Sequence, residues 1–70
     1  MTNLDIFVQY GTKMVKMANE VAAVGIIGAG LTRKEVKAGI RKIVKRSNIN
    51  PATAKIQITD KAVVFSNLSA

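Results

Sequence analysis

Apolar residues recur at steps of three and four over the first third of the chain, and this spacing predicts a helix over residues 4–22. The polar residues of this segment fall on one narrow face, so the apolar face is wider than the stripe of about 100° that a surface helix buries. Such a face predicts either a deep position in a small core or burial on two sides, against the fold and against a second subunit. The residues expected at a subunit contact are Phe7, Tyr10, Met14, Met17 and Val21.

The apolar segment that follows, residues 23–31, has no single clear period. A short, bounded apolar run is compatible with a continued helix and with a buried strand. Gly25, Gly28 and Gly30 lie within six residues, and glycines weaken a helix. We therefore expect a glycine-rich bend between Gly25 and Gly30, and the choice between helix, strand and loop for residues 21–30 stays open.

A second helix is predicted over residues 33–46. Thr32 stands three residues before Glu35, which is the spacing of a capping box at a helix start. The apolar residues within the helix keep a helical spacing, and they are Val36, Ile40, Ile43 and Val44. Pro51 disfavours a helical conformation at Asn50, so the helix is expected to end in the turn-rich residues 47–51.

The last part of the chain predicts a β-hairpin over residues 55–65. Residues 55–59 alternate between polar and apolar, residues 62–65 favour strands, and Asp60 and Lys61 form a short turn between them. The whole chain is thus expected to be one small α+β domain over residues 1–70. Its parts are a long amphipathic N-terminal helix, a glycine-rich bend, a basic amphipathic helix and a C-terminal β-hairpin.

Positive charge changes this picture, because it is concentrated in the second helix. The chain carries 11 basic and 4 acidic residues, for a net charge of +7. Seven of the basic residues lie between residues 33 and 46, opposed only by Glu35, and they supply six of the seven net charges. These predicted nucleic-acid-binding residues are Arg33, Lys34, Lys37, Arg41, Lys42, Lys45 and Arg46. Charge of one sign on one face indicates an anionic partner.

The two cations at the start of this helix point to where such an anion binds. Arg33 and Lys34 lie in the first turn, where the positive end of the helix dipole makes each cation cost about 0.3–1 kcal/mol. A bound anion would offset that cost and accept hydrogen bonds from free backbone N–H groups. We therefore expect an anion beside Arg33 and Lys34.

The leading partner is DNA or RNA, bound through phosphates without strong sequence preference. The basic face of the second helix holds no Asn or Gln, which are the usual side chains that read adenine, and no aromatic residue lies among its cations. An anionic membrane surface or a virion component is the alternative partner, with the chain as a structural subunit of a virion, filament or membrane-associated assembly. A homo-oligomer is expected in either case, because a chain this short buries a modest core.

Catalysis and metal binding are not expected. The chain has neither histidine nor cysteine, which excludes thiolate nucleophiles, histidine bases and ordinary zinc sites. No cofactor is predicted. The longest uncharged apolar run, residues 21–31, is 11 residues long and falls short of the roughly 20 that span a bilayer. A cytoplasmic protein is the simpler expectation, with a virion or membrane-associated location as the alternative.

One segment resembles part of the KH nucleic-acid-binding module. The residues that carry the resemblance are Ile26-Ile27-Gly28 before a helix and Ala54–Ile58 after it. The glycine loop would read Gly28-Ala29-Gly30-Leu31 and lacks its last glycine, and the stretch from that loop to the next strand is too long by about ten residues. The resemblance implies a nucleic-acid partner, and the chain is not assigned to that family.

Overall fold

A computed structural model describes residues 2–68, which form two helices and a three-stranded antiparallel sheet. The elements, in chain order, are α1 (Asn3–Met17), β1 (Ala22–Gly25), α2 (Arg33–Ser47), β2 (Lys55–Ile58) and β3 (Ala62–Ser66). The α+β class expected from the sequence is confirmed.

Helix α1 begins at a capping box and ends earlier than predicted. The Thr2 hydroxyl accepts a hydrogen bond from the Asp5 N–H, and the Asp5 carboxylate accepts one from the Thr2 N–H. The helix ends at Met17, with Ala18 extended, so the predicted end at residue 22 is wrong. The chain bends at residues 19 and 20, and beyond the bend Ala22 and Val24 are buried on β1, whereas Val21 is exposed.

The sequence leaves the structure of residues 21–30 open, and the first half of this segment forms strand β1. Ala22 and Val24 point into the core, whereas Ala23 and Gly25 are exposed, which is the period of two that a strand requires. The strand pairs with β3, with Ala22 opposite Phe65. The sheet therefore has the order β1-β3-β2, and β3 lies in its centre.

Helix α2 keeps the predicted start and ends one residue beyond the predicted end. The Thr32 hydroxyl accepts from the Glu35 N–H, as the capping-box spacing predicts. The helix continues to Ser47, and Asn48 then adopts the left-handed conformation that commonly follows a helix. The next pairing, β2 with β3, forms a hairpin whose second strand extends to Ser66.

The core lies between the helices and one face of the sheet. Val24, Val63 and Phe65 are fully buried on that face and join residues from both helices in one apolar cluster. The helices approach closely because each carries a glycine at the contact. A Cβ at Gly39 would lie 2.6 Å from Cε2 of Phe7, and one at Gly11 would overlap the side chain of Ile43. Within residues 2–68, no helix packs against the opposite face of the sheet.

Candidate nucleic-acid interface

All seven cations of α2 are exposed. The opposite side of the helix supplies the buried residues Val36, Gly39, Ile40 and Ile43, and these fix the rotation of the helix about its axis. At 100° per residue, Lys34, Lys37, Arg41 and Lys45 fall within about a quarter of the circumference, directly opposite the buried side. We call these four residues the basic stripe, and the packing of α2 turns it toward solvent.

Glu35, the acidic residue of α2, is engaged within the helix start. Its Oε1 accepts hydrogen bonds from the Thr32 N–H, at 3.2 Å, and from the Thr32 hydroxyl, at 3.1 Å. The carboxylate therefore already places a negative charge at the positive end of the helix dipole. An anion beside Arg33 and Lys34 stays a prediction, but it is not needed to offset the helix dipole there.

The flank of α2 that carries Arg33 and Lys37 borders a groove against the β2–β3 turn. This groove has a volume of about 290 Å³, and its other lining residues include Leu31, Thr59 and Asp60. Asp60 brings a carboxylate to the same groove as the two cations. This flank is therefore less uniformly positive than the helix sequence alone suggests.

The other flank of α2 meets the N-terminal part of α1. Hydrogen bonds from Thr2, first from its backbone and then from its side chain, lower the pKa of Asp5, and the positive charge of Lys42 acts in the same direction. Lys42 is thus partly compensated by a carboxylate of the neighbouring helix. Among residues 2–68, the cations of α2 with no carboxylate in a neighbouring groove or helix are Lys34, Arg41, Lys45 and Arg46.

Two lysines of α1 extend the basic surface beyond α2, which the sequence did not predict. Lys13 and Lys16 line an open furrow of about 490 Å³ together with Arg46, and no acidic residue lines it. Gln9, Thr12 and Met17 complete the furrow. Lys13 and Lys16 lie far from α2 in the sequence, so no local spacing signals this contact; it depends on how the two helices cross.

The residues predicted for self-association are separated by the structure. Phe7 is only 4% exposed and packs against Gly39, so its predicted place at a subunit contact is wrong. Met14 is half-buried beside the core. Tyr10, Met17 and Val21 are exposed, by 52%, 73% and 59% respectively. Phe7 was misplaced because its apolar neighbours on α1 look alike in sequence, and only the position of α2 distinguishes them.

The glycine-rich segment has a structural explanation. Gly28 and Gly30 have φ angles of 76° and 67°, in the left-handed region that favours glycine. They form the connection from β1 to α2, which explains their presence without a bound ligand. The Ile26–Leu31 segment that resembles a KH loop is therefore accounted for by turn geometry.

Neither a protein-family model, nor a curated protein, nor a solved structure matches this chain. Within residues 2–68, neither helix has the length and apolar character needed to cross a membrane.

Proposed function

We propose that this protein is a small, non-enzymatic nucleic-acid-binding protein that self-associates. It docks on phosphates through α2 without strong sequence preference. The observation that supports this most directly is the complete exposure of seven cations on one 15-residue helix whose acidic residue is engaged in its own cap.

Phosphate contact rather than base reading is favoured by the kinds of side chains present. Lysine and arginine bind phosphate oxygens, and the stripe holds neither Asn nor Gln to pair with adenine. Phe7 and Phe65 are buried in the core, so neither offers a ring on which a base could stack. Tyr10 is exposed, but it lines a groove with Gly25 and Ala29, and no cation of α2 lines that groove.

The salt dependence of binding tests this assignment. Each phosphate contact contributes about −0.9 to the slope of log K against log salt on duplex DNA, and about −0.7 on single strands. Four contacts through the stripe therefore predict slopes of about −3.6 and −2.8. We expect the double variant Arg41→Ala/Lys45→Ala to reduce the duplex slope by about 1.8, measured by filter retention across a salt series.

A matched control separates this effect from total charge. Lys55→Ala/Lys61→Ala also removes two exposed lysine charges, but from the hairpin rather than from α2. Alanine suits a helix, so the α2 variant is expected to stay folded. Equal slopes for the two variants would show that binding follows net charge rather than the stripe. Absence of binding at low salt would contradict the proposal.

A structural subunit of a virion, filament or membrane-associated assembly is the second candidate. It is favoured by the exposed apolar side chains of Ile6, Tyr10, Met17, Val21 and Ile27. Such side chains serve protein or lipid contacts, and a chain with both surfaces can join copies of itself to a genome. Cosedimentation with neutral and anionic vesicles tests the lipid version: binding to neutral vesicles requires apolar insertion, because no charge attracts the protein.

A further inference from the structure

The free edge of β1 lacks the charged residues and the proline by which proteins often protect an exposed strand. In residues 2–68, β3 is the sole strand that pairs with β1, so the other side of β1 is open. Natural edge strands are usually blunted by charged residues, proline or a bulge. β1 contains only alanine, valine and glycine, and it lies in the uncharged stretch Val21–Leu31.

The pairing register shows which backbone groups of β1 face outward. The Ile26 N–H donates to the Lys61 carbonyl, so Ile26–Lys61 is a hydrogen-bonded pair of this antiparallel ladder. Hydrogen-bonded pairs alternate with non-bonded pairs along such a ladder. The N–H and C=O groups of Ala23 and Gly25 therefore point away from β3, toward the open side.

The second edge of the sheet provides a direct contrast. By the same reasoning, the Thr59–Ala62 hydrogen bond makes Ile56 and Ile58 the outward residues of β2. That edge carries the exposed Lys55 beside the exposed Gln57. A lysine on an edge strand discourages another strand from joining, so the two edges of one sheet differ.

We propose that the β1 edge pairs with β1 of a second copy of this chain, joining two sheets into one antiparallel six-stranded sheet. The inference rests on the proposed self-association and gives it a surface. Two copies of β1 related by a two-fold axis through Ala23 place Ala23 opposite itself and Val21 opposite Gly25 of the second copy. No atom lies within 4 Å of a Cβ built at Gly25, which leaves room for the exposed valine.

The distribution of charge along the chain favours a second copy of this chain as the partner at the β1 edge. Two copies of a chain with net charge +7 repel each other wherever lysines and arginines meet. A two-fold contact sets each residue against a residue of the same segment, so a charged segment would oppose like charges. Val21–Leu31 is the longest uncharged apolar run, and there copies can approach without placing cation against cation.

The exposed apolar residues near β1 are consistent with the same surface. Ile6 and Tyr10 line a groove of about 230 Å³ together with Gly25, Gly28 and Ala29 at the end of β1. Ile27 is 71% exposed in the adjoining turn. The neutral surface thus continues from the end of β1 onto α1.

Sedimentation of the full chain with and without a charge on the edge tests the proposal. We expect the wild-type protein to sediment at twice the 7.5 kDa mass of one chain, and Ala23→Lys to halve that mass. Gln57→Lys is the matched control, because Ala23 and Gln57 flank Val64 on the same exposed sheet face. It adds an identical charge at the other edge and should leave the mass doubled, as should the neutral Ala23→Thr.

Amide hydrogen exchange gives a second measurement that needs no substitution. Raising the protein concentration should slow exchange at Ala23 and Gly25 and leave Ile56 and Ile58 fast. A wild-type monomer, equal masses for the two lysine variants, or a mass growing past two chains would overturn the proposal. A monomer that keeps its salt-dependent binding to DNA would remove this inference together with the proposed self-association, and a dimer that Ala23→Lys leaves intact would remove this inference alone. A dimer without DNA binding would remove the nucleic-acid function alone.

Discussion

The two helices are built alike on their inner sides and differ on their outer sides. Each has 15 residues, begins with a threonine capping box and brings one glycine to the contact between them. The exposed side of α1 shows Ile6, Tyr10 and Met17, with two lysines toward one flank. The exposed side of α2 carries seven cations. The fold constrains the inner half of each helix, and the outer half is free to serve a partner.

The difference indicates a division of labour between two surfaces. The outer side of α2, continued by Lys13 and Lys16, is basic. The outer side of α1 adjoins the uncharged segment at β1. A protein that carries both can bind a polyanion with one surface and a copy of itself with the other, and self-association then multiplies the number of phosphates held.

The largest expected effect on stability comes from replacing Phe7, a core residue on the inner side of α1. Phe7→Ala removes a buried ring that fills the space above Gly39, and such truncations cost about 3–5 kcal/mol. A domain of this size has a free energy of unfolding of about 4–10 kcal/mol, so most of its stability should be lost. Urea unfolding followed by circular dichroism measures the change.

Tyr10→Ala is the matched change on the outer side of the same helix. Tyr10 is half-exposed, so the expected loss of stability is below about 1 kcal/mol. Similar losses for Phe7→Ala and Tyr10→Ala would mean that the inner side of α1 contributes no more to the core than its outer side.

The glycine of α2 provides the next largest effect. A methyl group at Gly39 would meet Phe7 Cδ2 at 2.7 Å and Leu4 Cδ1 at 3.2 Å. Overpacking of this kind costs about 1–3 kcal/mol and is partly offset by the helix propensity of alanine, about 1 kcal/mol. Gly39→Ala should therefore lower the melting temperature. Gly25→Ala is the control and should leave the melting temperature unchanged, because no atom lies within 4 Å of a Cβ at Gly25. An unchanged melting temperature for Gly39→Ala would show that the helices can separate freely.

The smallest expected effect concerns the cap of α1. Thr2→Ala should cost about 1 kcal/mol, as loss of a threonine cap usually does. The same bonds lower the pKa of Asp5, so Asp5 stabilises the fold above its unfolded pKa, and this contribution is lost as the pH falls through the lower folded value. In Thr2→Ala the Asp5 pKa should rise part of the way toward its ordinary value, because the side-chain hydrogen bond is lost while the backbone N–H of residue 2 can still donate. Carboxyl chemical shifts across an acid titration measure this, and an unchanged pKa would assign the shift to the backbone hydrogen bond and Lys42.

Signals local in the sequence predicted the helices and the hairpin, but they did not predict contacts between segments that are distant in the sequence. The Thr32–Glu35 spacing located the start of α2, because a cap depends on four consecutive residues. The end of α1 was misplaced, because Val21 and Ala22 continue a helical apolar pattern as well as they begin a strand. Only pairing with Phe65 decides between the two. The charges of α2 were evident, whereas Lys13 and Lys16 joined them through the crossing of the helices.

The central position of β3 has a consequence for synthesis of the chain. Its partners in β1 are on the order of 40 residues earlier, so the sheet closes through contacts that are slow to find. A nascent chain that has not yet exposed residues 62–66 holds neither β1 nor β2 in place, and its uncharged segment from Val21 to Leu31 stays open to other chains. The sheet therefore cannot form on the ribosome until residues 62–66 have emerged, and we expect a truncation before Ala62 to aggregate rather than to form a smaller folded unit.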